Sequence, residues 1–167
     1  MIRFDVLGTP APKGSNRAVL NKHTHRAMMI PGGSNTNEHK IYAWNIAVRE
    51  AAREACGRSL NTPYFIHAPL MVTILFRMQR PSGHWGKKGL KPSAPQYPTV
   101  KPDIDKLART TLDALTGIVF DDDSRIVSLV CTKVFAKPGE EGMGIEIRAA
   151  DMPQAATYQG VQNVLGI

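Results

Sequence analysis

The 167-residue chain carries a formal net charge of +7, and 43% of its residues are hydrophobic. That is one domain with material for a real core, which argues against wholesale disorder; no apolar run approaches the roughly 20 residues of a bilayer-spanning helix. Cys56 and Cys131 stand alone without Cys-x-x-Cys spacing, and Met1 to Asp5 show no apolar leader, so a reducing, cytoplasmic setting is expected.

In chain order, residues 2–7 alternate apolar and polar and predict a strand, ended by the Gly8-Thr9-Pro10-Ala11-Pro12-Lys13-Gly14 loop. Residues 13–40 hold Lys13, Arg17, Lys22, Arg26 and Lys40 against one acid, Glu38, with a small hairpin suggested by Ala18–Leu20 and Ala27–Ile30. A helix follows from about Thr36 to Ala55, with Ile41, Trp44, Val48, Ala51 or Ala52, and Ala55 at helical spacing and Gly57 as its stop. Pro69 to Met78 reads as a short buried strand.

Residues 77–101 change character. Four prolines, three glycines, Trp85, Tyr97 and six bases with no acid predict a long basic loop without periodicity. A second helix is expected from Ile104 to Leu115, its apolar face Ile104, Leu107, Ala108, Leu112 and Leu115, with Gly117 closing it. Arg125 to Ala136 alternates as a strand, residues 137–142 form a turn, and Met143 to Arg148 is the returning strand. Residues from about Asp151 read as a tail. The order implies an α/β fold: a single domain with one mixed β-sheet packed by two helices.

The net charge is segregated. The 21 residues from Asp103 to Asp123 contain six aspartates and two bases, giving −4, so the rest of the chain carries +11. A basic body suggests a polyanionic partner, and an acidic knot inside it is a poor way to bind one unless a cation lies between them. A helix start and a strand start are expected to bring Asp103, Asp105 and Asp122 or Asp123 together. An oxygen-only set of that kind suits Mg²⁺ or Mn²⁺ and not zinc. Each acid also has an ordinary explanation. Asp103 caps a helix, Asp105 meets its dipole, Asp113 pairs with Arg109, and Asp-Asp-Asp-Ser is a solvated turn. The residues alone leave the two readings balanced.

The run from Lys101 to Val127 resembles the signature of the RusA-like Holliday junction resolvases. That signature reads Pro-Asp-x-Asp-Asn-x-x-Lys-x-x-x-Asp-Ala-Leu-x-Gly, then a few apolar residues, then Asp-Asp-x-Gln-Val/Ile. Here it is carried by Pro102-Asp103-Ile104-Asp105, Asp113-Ala114-Leu115, Gly117 and Asp122-Asp123, without a gap. Gly8-Thr9-Pro10-Ala11-Pro12-Lys13 is similar to the family's opening Gly-x-Pro-x-Pro-Lys loop.

The resemblance implies a homodimeric, Mg²⁺-dependent endodeoxyribonuclease that nicks four-way DNA junctions symmetrically, with Mn²⁺ as a substitute metal. It implies a bacterial cytoplasmic setting, in a host or a phage-infected cell. Residues 1–150 would be the endonuclease domain, with 77–101 its DNA-contacting loop and 151–167 a tail. Carried over by position, Asp103, Asp105 and Asp123 are the essential carboxylates. Asp122 assists at the metal, and Asp121 falls outside the pattern.

Three positions depart from the pattern: Lys106 stands where the family has Asn, Arg109 where it has a lysine, and Arg125 where it has Gln. Arginine stays protonated, so Arg109 is expected to stabilise developing charge and not to act as a base. Lys13, Arg17, Arg80, Lys87, Lys88, Lys91, Lys101, Lys106 and Arg125 are the expected DNA-binding residues. The departures keep two alternatives in play: a junction-binding protein with weakened catalysis, and a Mg²⁺-dependent nuclease for other branched DNA.

Overall fold

A computed structural model describes residues 1–13, 17–20, 27–30, 35–57 and 62–150, and side chains are described outside residues 14–37. Its elements are β1 (Ile2–Leu7), β2 (Arg17–Leu20), β3 (Ala27–Ile30), α1 (Asn35–Cys56), β4 (Leu70–Met78), β5 (Trp85–Gly86), β6 (Gly89–Leu90), α2 (Ile104–Leu115), β7 (Ile126–Phe135) and β8 (Gly142–Ala149). The tail from 151 onward lies outside the described residues.

Four strands form the main sheet in the order β1-β8-β4-β7. β4 pairs antiparallel with β8 and parallel with β7, which makes the sheet mixed. Alternation along each strand sends one set of side chains inward: Ile2, Phe4 and Val6 from β1, Met143, Ile145 and Ile147 from β8, and Leu70, Val72, Ile74, Phe76 and Met78 from β4. These pack with Trp44, Val48 and Ala52 of α1 and Leu107, Leu112 and Leu115 of α2 in one core. The expected helix faces are therefore largely present. Ala55 differs: it is exposed, and the stripe on α1 ends at Ala52 with Ala51 and Cys56 at its margin.

The returning strand differs more. β8 does not pair with β7 as a simple hairpin would; it steps over the end of β4 and takes the position between β4 and β1. The physical reason is burial. β8 is apolar on one face along its whole length, and only an interior position covers both of its backbone edges. The step is held by Ala136 N–H donating to the Met78 carbonyl (2.8 Å) and Arg77 Nε donating to the Glu140 carbonyl (3.0 Å). At its start Gly142 has φ +152°, and a Cβ there would sit 1.9 Å from the Val6 carbonyl oxygen, so only glycine permits this approach to β1.

The basic loop is shorter and more ordered than its composition suggests. Arg77 and Met78 belong to β4, and Arg77 pairs with Asp5 (2.7 Å). The remainder holds a 3₁₀ turn at Ser82–His84 and the small β5–β6 hairpin, with Lys87 and Lys88 at its tip.

Candidate active site

α2 is the element that places the acidic segment. It connects two parallel strands, β4 and β7, so it runs back antiparallel to both. Its start therefore lies at the C-terminal edge of these strands. Lys133, near the end of β7, donates from Nζ to the carbonyls of Pro102 (2.8 Å) and Val100 (3.0 Å) and so pins that start. Its end returns to the opposite edge, where a tight turn leads through Phe120, bridged to Phe65, into Asp121.

Asp103 takes the N-cap position, with extended backbone (φ −70°, ψ 139°). Its carboxylate makes no capping hydrogen bond. It accepts instead from Lys106 Nζ at 2.8 Å. This bond, the charge of Lys106, and those of Lys101 and Lys133 hold the Asp103 carboxyl below the usual aspartate range, while Asp103 in turn raises the Lys106 ammonium. Asp105 lies exposed in the first turn, and Arg109 is exposed one turn further along. The family-pattern Asn has thus been replaced by a cation that sits on one of the carboxylates.

A cleft opens around Asp103. It is lined by Thr9 to Lys13 of the N-terminal loop, Lys40 of α1, Met78 of β4, and Lys101, Pro102 and Lys106. Four lysines thus surround one aspartate. The loop is fastened to α2 at two points: Lys13 N–H donates to Thr110 Oγ1 (2.6 Å), and Lys13 Nζ pairs with Asp113 (2.9 Å). Asp113 therefore serves Lys13, not Arg109 as expected. Lys40 and Lys133 were not singled out in the sequence. Lys40 stood within a basic stretch, but Lys133 alternates within a strand and carried no signal.

The Asp121–Asp123 group sits at the other end of α2. Asp121 accepts from Arg125 Nε and Nη2 (3.2 and 3.0 Å to Oδ2) and lies 3.5 Å from His67 Nδ1. Arg125 lowers its carboxyl. Asp122 accepts from Ser124 N–H (2.9 Å) at the start of a 3₁₀ turn spanning Asp123–Arg125, and that contact lowers its carboxyl too. Asp123 is exposed. Arg125 is engaged with Asp121 and His67, so it is held on the protein and does not project freely.

The expected meeting of the two acidic groups is therefore not made within one chain. α2 has 12 residues, and at 1.5 Å per residue it separates its ends by ~18 Å. Among the described residues no three His, Cys, Asp or Glu side chains lie close enough to hold a metal together. The cause is topological: a helix between parallel strands must begin and end at opposite edges of the sheet.

Of the other predicted DNA-binding residues, Lys87 and Lys88 are exposed at the hairpin tip and Lys101 lines the cleft. Lys91 and Arg80 are engaged in building the loop. Lys91 Nζ donates to the Gly83 carbonyl (2.8 Å); Arg80 donates to the Pro95 carbonyl (2.9 Å) and lies 4.0 Å over the Phe135 ring. Arg17 is on β2, with its side chain outside the described residues. Trp85 and Tyr97 are both exposed.

Residues 9–148 match the family described as Endodeoxyribonuclease RusA, and this span holds both the opening loop and the aspartate signature. The chain belongs to the RusA endodeoxyribonuclease family. It is also 26% identical over 150 residues to "Uncharacterized protein YqaN" of Bacillus subtilis (strain 168), covering 89% of this chain and 98% of that protein. The family membership accounts for the nuclease signature, the single mixed-sheet domain and the DNA-directed charge. No helix among the described residues is long and apolar enough to cross a membrane.

Proposed function

We propose that this protein is a Mg²⁺-dependent endodeoxyribonuclease that resolves four-way DNA junctions by paired nicks, acting as a homodimer. The observation that carries the reading is the family's Asp103-Ile104-Asp105 motif, whose Asp103 lines a cleft together with Lys13, Lys40, Lys101 and Lys106. Carboxylate next to concentrated lysine is the arrangement that a metal ion and a phosphodiester together would neutralise.

The donors suit the metal. Mg²⁺ commonly takes one or two carboxylates and completes its shell with water and phosphate oxygen, and Asp103 and Asp105 supply two carboxylates in one helical turn. Asp122 and Asp123 are the family-pattern carboxylates that would join them. When bound, the ion lowers the pKa of attacking water and polarises the phosphate. The chain's own groups do the rest. Lys13, Lys40 and Lys101 hold backbone phosphates at the cleft. Arg109, always protonated, stands one turn beyond Asp105 to meet negative charge on the scissile phosphate. Lys87 and Lys88 reach duplex outside the cleft, with Trp85 and Tyr97 available to stack on bases opened at the crossover.

One observation favours a second reading, a junction-binding protein with weakened cleavage: Lys106 already occupies an oxygen of Asp103. A gel assay separates the two. On the first reading a synthetic four-way junction is nicked in Mg²⁺ while linear duplex is not, and Asp105→Asn abolishes nicking with binding kept. Tight binding without nicking in Mg²⁺ or Mn²⁺ supports the second reading. Preferential cutting of flaps or forks in a substrate panel points to a nuclease for other branched DNA.

A further inference from the structure

Asp121 and Arg125 are positions that the family pattern does not account for, and the structure joins both to a third residue, His67. We infer that His67 is a further substrate-contacting residue: its Nε2–H donates to a backbone phosphate of the DNA beside Asp122 and Asp123, while Arg125 and Asp121 position its ring. The inference rests on the proposed nuclease reading for its substrate, and on the geometry of this cluster for the residue itself.

The chain before β4 is laid along the segment that leads into the aspartates. Tyr64 N–H donates to the Ile118 carbonyl (3.0 Å) and Phe65 N–H to the Val119 carbonyl (2.8 Å), and Phe65 forms a parallel bridge with Phe120. Beyond His67 the chain is held again, where the Pro69 carbonyl accepts from Ala150 N–H (2.7 Å). Between these fixed points His67 has φ +59°, the one non-glycine residue with positive φ among the described residues. A side chain is strained there, although histidine tolerates the left-handed region better than most residues. The turn brings the imidazole to Asp121, directly before Asp122 and Asp123, and leaves its side chain 76% exposed.

The ring is oriented by its inner nitrogen. Arg125 Nη2 lies 2.9 Å from His67 Nδ1. A guanidinium can only donate, so Nδ1 accepts and the single ring proton is on Nε2. Asp121 Oδ2, at 3.5 Å from Nδ1, is too distant to compete, and accepts instead from Arg125 Nε and Nη2 (3.2 and 3.0 Å). Asp121 thus fixes Arg125, and Arg125 fixes the imidazole. No group among the described residues meets the Nε2–H.

A neutral ring N–H recognises an acceptor, and a protonated Nε2 has no lone pair for a metal. The acceptor that a nuclease brings to Asp122 and Asp123 is a phosphate oxygen. A neutral donor also suits this place better than a cation. An ammonium would settle on a carboxylate, as Lys106 does on Asp103 (2.8 Å), and compete with the metal. The imidazole leaves the oxygens of Asp122 and Asp123 to the ion. Arg125, expected from its charge to bind DNA, acts through His67 and is a positioning residue.

Equilibrium binding of a four-way junction, titrated over salt at pH ~8 with Ca²⁺ in place of Mg²⁺ to keep the strands intact, tests this. Glycine takes φ +59° without strain, so His67→Gly should fold and melt within a few degrees of wild type. Its affinity should fall roughly tenfold at every salt concentration, with the salt slope unchanged, because a neutral donor releases no counterion. The paired change Asp121→Asn with Arg125→Gln removes one charge of each sign. It should weaken binding by a similar factor in the wild-type chain and no further in the His67→Gly chain. Unchanged affinity of His67→Gly overturns the proposal. So does full additivity of the two changes, or a slope lowered by ~0.9 in the paired variant, which would place Arg125 directly on a phosphate.

Long-range proton–nitrogen correlation spectra of ¹⁵N-histidine-labelled protein give a second readout. His67 should show the Nε2–H tautomer, and its Nε2 resonance should move when the junction is added. An Nδ1–H tautomer, or an Nε2 resonance unmoved at saturating junction, overturns the assignment. A wild type that binds the junction without cutting it leaves both measurements decisive. A wild type that binds no junction defeats the nuclease reading itself, and the phosphate contact with it.

Discussion

Thr110→Val tests how the N-terminal loop is fastened to α2. Thr110 is 1% exposed, and its hydroxyl makes two bonds: it donates to the Lys106 carbonyl (2.8 Å) and accepts from Lys13 N–H (2.6 Å). Valine keeps the shape and the helix packing but removes the acceptor. The Lys106 carbonyl retains its role in the helix, so the loss falls on Lys13 N–H, whose bond to Thr110 is part-buried. Leaving such a donor unpaired costs about 1–2 kcal/mol net. For a domain of this size that lowers the melting temperature by roughly 3–6 °C. The loop forms one wall of the lysine cleft, so Lys13 should also lose its fixed position and junction affinity should fall by about the worth of one phosphate contact. Thermal melting by circular dichroism and a salt-dependent binding titration read the two effects. A melting temperature within about 1 °C of wild type, with unchanged affinity, would show that the loop is held by its prolines and core contacts and that the Thr110 bond is incidental.

Lys106→Asn restores the family-pattern residue and frees the Asp103 carboxylate; Mn²⁺ binding, read by isothermal titration calorimetry, should tighten by roughly severalfold, the scale of removing one partly exposed ion pair and its charge. No change would mean that Asp103 does not contribute to the metal. Replacing Lys87 and Lys88 by Ala should lower the salt slope of junction binding by about 2 without affecting melting, because both lie exposed at a hairpin tip. An unchanged slope removes the hairpin from the interface. The Asp121 carboxyl is held low by Arg125, so the stability that this pair adds is fully present at neutral pH and is lost as pH falls through the lowered value. Asp121→Asn should therefore melt below wild type at pH 7 and converge with it in acid; a gap that persists unchanged at low pH would assign the effect to packing.

Local signals in the sequence sufficed wherever the deciding physics is local. Alternation over 2–7, a short apolar run over 69–78, helical spacing over 104–115, and glycine or proline at the boundaries predicted those elements because backbone preference and burial act over a few residues. The acidic segment was legible by type and spacing as well, and its resemblance to the family signature is what makes Asp103, Asp105, Asp122 and Asp123 candidate metal ligands. The partners of individual charges were not. Asp113 found Lys13 from a loop about a hundred residues away, Arg80 turned to Phe135, and Lys133 reached back to the carbonyls before α2. Such contacts depend on which strands become neighbours.

Residue order alone predicted a single mixed α/β domain with a basic body and an aspartate-rich segment, because composition and periodicity are properties of the chain itself; the nuclease reading of that segment came from its resemblance to a family signature. Only the tertiary structure decided where those aspartates lie. β7 pairs parallel to β4, so α2 must span from one edge of the sheet to the other and carry the two acidic groups to its opposite ends. A net charge of +7 with an acidic knot pointed to a metal between protein and DNA; the parallel pairing of two strands is what splits that knot.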